Sequence, residues 1–120
     1  MDTVLAVDVG GTKVAAGVVT SAGRLLRRAV RPTPKELQPE AVLDAVLDAA
    51  ADVRAGDEVA CGIGCGGPMS LGGEEVSPLN IAAWRDFPLR RRMADASGLP
   101  VHIDNDAKAL ALGEGWMGSA

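Results

Sequence analysis

A short glycine-containing segment near the start of the chain most constrains its fold. Residues 8–13 read Asp-Val-Gly-Gly-Thr-Lys and stand between two apolar runs, 4–7 and 14–19. Runs of this length and composition predict two buried strands that pair through a tight turn. Adjacent glycines let the main chain of such a turn approach an anion, because no Cβ obstructs it. The segment therefore predicts a strand–turn–strand phosphate loop, and an ordinary Gly-Gly hairpin is the alternative.

The side chains of this segment fit phosphate chemistry. Thr12 offers a hydroxyl and Lys13 a cation beside the amides of Gly10 and Gly11. Asp8 ends the first strand, where its carboxylate could hold magnesium, or water bound to magnesium, beside the phosphates. The chain contains neither a Gly-Lys-Ser/Thr P-loop nor a glycine fingerprint that opens a helix. The predicted phosphate loop therefore differs from the helix-opening nucleotide loops.

A second polar motif lies near the other end of the chain. Residues 101–114 predict a short strand that ends in acidic and amide residues and passes directly into a helix. Asp104 or Asn105 would cap that helix, and Asp106 would lie in its first turn. A carboxylate placed there can accept a proton from a bound hydroxyl, so Asp106 is a candidate base that depends mainly on its position.

Together, these two motifs and two further segments resemble the ROK family (repressors, open reading frames and kinases) of the hexokinase–actin–Hsp70 superfamily. The further segments are Gly-Ile-Gly-Cys-Gly-Gly-Pro at 62–68 and Pro-Leu-Asn-Ile-Ala-Ala-Trp at 78–84. Four motifs in one order, spread over essentially the whole chain, are far more specific than any one alone. The resemblance implies that residues of the last motif bind sugar hydroxyls, with Asp106 as the catalytic base. The other sugar-binding residues that it implies are Gly66, Gly67, Asn80 and Asn105.

Three positions depart from the family pattern. Gly66 precedes Gly67 where proline–glycine is usual, Ala83 replaces a common glycine, and Lys108 replaces a common asparagine. The extra freedom at Gly66 would loosen the sugar loop, and Lys108 could place a cation near the site. These departures bear on which sugar is bound more than on kinase chemistry.

The order of predicted elements is that of a ribonuclease-H-like, actin-type half. We expect an α/β fold whose mixed sheet has three antiparallel strands followed by parallel ones, with helices on both faces. The later elements are a helix at 39–54, a strand at 59–65, the helix Leu89–Ser97 and the strand Val101–Asp104. Strands reached through helical crossovers run parallel to the first strand, so their carboxyl ends should share one edge of the sheet. That edge would bring Asp8, Gly66 and Asp106 together.

Several other side chains suggest sites but favour structural roles. Cys61 and Cys65 are four residues apart on one strand, too far for a disulfide, so buried thiols are expected. His102 is the sole histidine and has no clustered cysteines, which excludes a metal site there and favours a packed or edge position. The row Glu40, Asp44, Asp48 and Asp52 favours a solvated helix face over a cation site.

Composition is that of one small domain. The chain has 120 residues, 48% of them apolar, and a formal net charge of −4, which favours neither nucleic acid nor an anionic membrane as a partner. No apolar run approaches the roughly 20 residues that span a bilayer, and no signal-peptide pattern opens the chain. The cytoplasm is therefore the expected location.

The resemblance implies an ATP-dependent hexose kinase that uses magnesium, with glucose phosphorylated at its 6-hydroxyl. It makes residues 1–120 the amino-terminal domain, and a second domain would supply the adenosine pocket and a cysteine–histidine zinc site. We expect that domain to be absent from this chain, the 120 residues alone to be inactive, and the complete protein to be a homo-oligomer. Two alternatives are a sugar-responsive transcriptional regulator, for which a helix-turn-helix ahead of the first strand has no room, and a non-catalytic sugar-binding or assembly module.

Overall fold

A computed structural model describes residues 2–35, 38–65, 75–78, 81 and 83–104. The elements in chain order are β1 Thr3–Val9, β2 Lys13–Thr20, β3 Leu25–Pro32, α1 Pro39–Val53, β4 Ala60–Cys65, α2 Leu89–Ser97 and β5 Val101–Asp104. All seven are predicted from the sequence, and the bounds of α2 and β5 agree to the residue. The helix predicted after β5 lies outside the described residues.

The five strands form one mixed sheet in the order β3-β2-β1-β4-β5. The first three strands pair antiparallel, because tight turns join them. β4 pairs parallel with β1, and β5 pairs parallel with β4, because a helix precedes each of these strands. The predicted mixed sheet is confirmed, and β5 lies in it beside β4.

The main core lies between one face of the sheet and both described helices. Alternate residues of β1, such as Leu5 and Val7, join the apolar stripe of α1 and Met93 of α2 in one buried cluster. Ala6 and Val19 point to the other face and form a small separate cluster. Within the described ranges, therefore, both helices pack on the same face of the sheet.

Helix α1 follows from a regular apolar stripe and a favourable start. Proline at its first turn has the backbone angle that a helix needs and lacks only an N–H that would have no partner there. The buried residues of the helix are Val42, Leu43, Val46, Ala49, Ala50 and Val53. Their spacing of three and four places them on one side, which packs on β1, β2 and β3.

A buried carboxylate closes the connection from α1 to β4. Glu58 is 5% exposed, and it accepts hydrogen bonds from Arg54 Nε and from the Ala55 amide, each at 2.8 Å. Burial alone would raise the pKa of the Glu58 carboxyl, but these bonds and a weaker one from the Gly56 amide outweigh it and lower that pKa. The ionised Glu58 carboxylate therefore stabilises the loop between α1 and β4.

The row of carboxylates on α1 is exposed, as predicted, yet three of its four members pair with arginines. Arg31 of β3 bonds Asp48 and Asp52, and Arg92 of α2 bonds Glu40 through both of its terminal nitrogens. No group of three or more histidine, cysteine or acidic side chains that could hold a metal occurs in the described ranges. These exposed pairs link α1 to its neighbours and contribute little stability individually.

Candidate active site

The carboxyl ends of the three parallel strands meet at one edge of the sheet. Asp8 of β1 pairs with Gly64 of β4, and Gly64 pairs with Asp104 of β5. Two inter-strand spacings, roughly 10 Å, therefore separate Asp8 from Asp104. β4 and β5 both end at this edge, and β4 ends beside the β1–β2 turn.

The predicted sugar-side residues lie just past these strand ends or in the loop before α2. Gly66, Gly67, Asn80, Asn105 and Asp106 all fall outside the described residues. The end of β4, which precedes Gly66, lies between Asp8 of β1 and the end of β5, which precedes Asn105. The five assignments themselves remain predictions.

The predicted phosphate loop is a tight turn between β1 and β2. Val9 pairs with Val14, and the Gly10 amide donates to the Lys13 carbonyl oxygen at 3.0 Å. Thr12 and Lys13 are exposed at the tip of this turn. Their hydroxyl and ammonium groups are therefore available to an anion.

Gly10 is required by a close approach within the turn. A Cβ at Gly10 would lie 3.0 Å from the Lys13 carbonyl oxygen, closer than side-chain carbons normally come. Neither Gly10 nor Gly11 is among the described glycines with positive φ, which are Gly23, Gly56 and Gly98. The close approach of the Lys13 carbonyl oxygen therefore explains the glycine at position 10, whereas a left-handed backbone conformation does not.

Thr33, which directly follows β3, forms two hydrogen bonds with the predicted phosphate loop. Thr33 donates its hydroxyl to the Gly10 carbonyl oxygen at 2.6 Å and its amide to the Thr12 carbonyl oxygen at 2.9 Å. The residue is only 5% exposed. None of the sequence motifs includes Thr33. The available signal is that Thr33 stands between two prolines, so its N–H is the one backbone donor of that stretch.

Asp8 is a half-buried carboxylate at the end of β1. Burial raises the pKa of its carboxyl above the ordinary value, and the positive charges of Arg28 and Lys13 partly oppose that effect. A cation beside Asp8 would favour its ionised form further. An oxygen ligand in this setting suits a hard divalent ion.

Trp84 belongs to the core. Its side chain is fully buried, stacks on Phe87 with ring centroids 4.6 Å apart, and donates from Nε1 to the Pro39 carbonyl oxygen at 3.0 Å. The tryptophan of the 78–84 motif therefore has a structural role.

Arg85 organises the same loop, and the sequence carried no signal for it. Its Nη1 donates to the carbonyl oxygens of Pro78, Ile81 and Trp84, at 2.6–3.2 Å. One guanidinium thus links Pro78, before residues 79 and 80, to Ile81 and Trp84 after them.

The remaining sequence candidates have structural positions. Cys61 and Cys65 are free and buried, and burial raises the pKa of each thiol to about 12; for Cys65 the negative charge of Asp8 adds to the effect. Their predicted role as buried thiols is confirmed. His102 is exposed on β5, the edge strand of the described sheet. Of the two predicted positions, packed or at an edge, the edge position is therefore correct. None of the helices in the described ranges has the length and apolar character needed to cross a membrane.

Comparison with known proteins agrees with the motifs. The ROK family profile matches residues 4–120. A glucokinase of Streptomyces coelicolor is 42% identical over 115 residues, which are 95% of this chain and 36% of that protein. The chain thus spans little more than a third of this curated relative.

Solved structures give the same result for the fold. A ROK family glucokinase from Streptomyces griseus, in complex with glucose and AMPPNP, superposes with a TM-score of 0.81 at 40% identity, covering 93% of this chain and 36% of that one. A ROK hexokinase from Thermus thermophilus has a TM-score of 0.76 at 40% identity, covering 94% and 40%. Both comparisons support the actin-like mixed sheet.

Proposed function

The chain belongs to the ROK family, and we propose that it forms part of an ATP-dependent hexose kinase that phosphorylates glucose at the 6-hydroxyl. One observation carries the proposal. The pairing of Asp8 with Gly64 and of Gly64 with Asp104 brings the β1–β2 turn and the ends of β4 and β5 to one edge of the sheet, which supports a common site for the phosphate and sugar motifs. The similar Streptomyces griseus enzyme, solved with glucose and AMPPNP, supports both proposed substrates.

On the phosphate side, the proposed donor is ATP. The exposed Thr12 and Lys13 would contact the transferred phosphate, together with the amides of Gly10 and Gly11. Asp8 would hold magnesium through water, because its half-buried carboxylate lies near the end of β1, at this edge of the sheet, and offers oxygen ligands. Magnesium bound with ATP would neutralise negative charge on the phosphates.

On the sugar side, the assignment rests on the family resemblance. Asp106 would accept the proton of the 6-hydroxyl, and Asn105 would bind neighbouring hydroxyls. Gly66, Gly67 and Asn80 would complete the sugar contacts. The hydroxyl must lie within hydrogen-bond reach of Asp106 and in line with the transferred phosphate.

The activity belongs to the complete protein. The relatives are almost three times as long as the part that this chain matches. We propose that the remaining part supplies the adenosine pocket, further sugar contacts and a zinc site, and that the complete protein is a cytoplasmic homo-oligomer. Closure of two walls over the substrates would exclude water from the transferred phosphate.

The test is ADP formation by the purified full-length protein with magnesium, ATP and single sugars. We expect turnover with glucose, measured by coupling ADP to NADH oxidation, and glucose 6-phosphate as the product. Mannose and an N-acetylated hexosamine test the sugar class, and a reaction without sugar controls for ATP hydrolysis. Absence of turnover with every hexose contradicts the proposal. Sugar binding alone would then favour a non-catalytic module, and sugar-dependent DNA binding a regulator.

A further inference from the structure

The link between Thr33 and the phosphate loop reaches beyond the residues of the first motif. Thr33 contacts the loop twice, through its hydroxyl to Gly10 and through its amide to Thr12. At 5% exposure, its hydroxyl is shielded from competing water. A buried polar side chain directed at a main-chain carbonyl in the middle of the loop fixes the orientation of that peptide.

Peptide planarity turns this contact into a constraint on the neighbouring amide. The Gly10 carbonyl and the Gly11 N–H belong to one trans peptide, so they point in opposite directions. With the Gly10 oxygen held by Thr33 Oγ1, the Gly11 N–H is directed away from β3. No described residue accepts a hydrogen bond from that N–H. It is therefore a fixed donor available to an anion.

The backbone around Thr33 is itself restricted. Pro32 ends β3 opposite Lys13, and Pro34 keeps Thr33 out of the helical region of backbone angles. Pro34 thus reduces the conformations open to Thr33 before any ligand arrives, and the ring of Pro32 fixes the backbone angle φ at the position before Thr33. A donor restricted in this way loses less entropy when it orders a loop.

We infer that Thr33 is a positioning residue that orients the Gly10–Gly11 peptide so that the Gly11 amide donates to a phosphate oxygen of ATP. The inference rests on the proposed kinase function for the identity of the anion. Thr33 lies outside the Asp-Val-Gly-Gly-Thr-Lys motif. Its hydroxyl should affect the affinity for the nucleotide and leave the affinity for the sugar unchanged.

The experiment compares Thr33→Val, Thr33→Ser and Thr20→Val in the full-length protein. Valine keeps the shape of threonine and removes the hydroxyl, whereas serine keeps the hydroxyl. Thr20 is the matched control, because it is 9% exposed, its Oγ1 accepts a bond from the Arg24 amide at 3.1 Å, and it lies at the opposite end of β2. Calorimetry measures AMPPNP and glucose binding separately, and NMR measures exchange of the Gly10 amide.

We expect Thr33→Val to weaken AMPPNP binding about fivefold, the effect of one lost hydrogen bond. It should also speed exchange of the Gly10 amide and leave glucose binding within twofold. Thr33→Ser should restore nucleotide binding, and Thr20→Val should not change it. If Thr33→Val does not fold, Thr33→Ala replaces it in the same comparison.

Three results overturn the inference. The first is AMPPNP binding by Thr33→Val within twofold of wild type. The second is a parallel loss of glucose and nucleotide binding that serine does not restore, which indicates a general structural role. The third is a wild-type protein that does not bind the nucleotide. Nucleotide binding that depends on the Thr33 hydroxyl, in a protein that phosphorylates no hexose, supports the inference while contradicting the proposed function.

Discussion

Asp8 and Gly64 occupy opposed positions on the parallel strands β1 and β4, at the edge of the sheet where both strands end. Because glycine has no side chain, the neighbour of the Asp8 carboxylate in the β4 direction is backbone alone. No side chain of β4 therefore stands directly opposite the Asp8 carboxylate. Asp8 is half-buried, and this is the setting in which burial raises its pKa.

Replacement of the proposed base should act on turnover more than on binding. In the full-length protein, Asp106→Asn keeps the side-chain shape but removes proton acceptance, so we expect turnover to fall roughly a hundredfold or more. Glucose affinity should change much less. Steady-state kinetics and glucose calorimetry measure the two effects, with Asp57→Asn, an exposed position in the α1–β4 loop, as the control. Near-normal turnover of Asp106→Asn would rule out this assignment.

A methyl group at Gly10 should distort the phosphate loop. The Cβ of Gly10→Ala would lie 3.0 Å from the Lys13 carbonyl oxygen, so the turn must shift to accommodate it. We expect the Michaelis constant for ATP to rise severalfold and the free energy of unfolding to fall by about 1 kcal/mol. Gly98→Ala is the control, because its φ of 72° makes alanine similarly costly to stability at a site far from the loop. Equal ATP constants in both variants would argue against a phosphate role for Gly10.

The buried carboxylate of Glu58 should make stability depend on pH. Its pKa is lowered in the folded chain, because bonds from Arg54 and the loop amides outweigh the cost of burial. The ionised form therefore stabilises the fold above the ordinary pKa of 4.5, and this contribution is lost as the pH falls through the folded pKa. Glu58→Gln should lower the free energy of unfolding by about 1.5–3 kcal/mol at pH 7, and by progressively less below pH 4.5.

Urea unfolding at several pH values tests the Glu58 prediction. Glu40→Gln is the matched control, because Glu40 pairs with Arg92 on the exposed face of α1 and should affect stability little. A constant difference between wild type and Glu58→Gln from pH 7 to pH 3 would contradict the assigned role.

Both cysteines should resist modification in the folded protein. Burial raises the pKa of Cys61 and Cys65 to about 12, so at pH 8 only on the order of one thiol in ten thousand is ionised. We expect no alkylation of either residue by iodoacetamide in native buffer and full alkylation in urea. Mass spectrometry of peptides that contain each residue measures this. Rapid labelling of Cys65 in native buffer would show that the end of β4 opens.

The 120 residues expressed alone should be a poor kinase. The phosphate loop and the strand ends form one edge of a sheet, and a sugar held at one edge leaves much of its surface in water. We expect hexose binding no tighter than millimolar, on the order of −4 kcal/mol, and no ATP-dependent phosphorylation. Calorimetry with glucose and a coupled glucose 6-phosphate assay test both parts. Micromolar binding or measurable turnover would show that this edge suffices.

The local elements of this fold could be read from the chain itself. Alternating or continuous apolar runs marked β1, β2 and β4, and the period of the α1 stripe marked that helix, because element type depends on the spacing of side chains along a few turns. The Asp-Val-Gly-Gly-Thr-Lys segment likewise identified the turn from β1 to β2 and its exposed Thr12 and Lys13.

The contacts that complete the site depended on the folded chain. The bond from Thr33 to Gly10 joins residues on different strands, and it exists only because β3 pairs with β2 in a register that sets Pro32 opposite Lys13. The burial of Trp84 likewise depends on packing, through its stack on Phe87. Register and packing are sums of many weak interactions between segments distant in sequence, so no local pattern contains them.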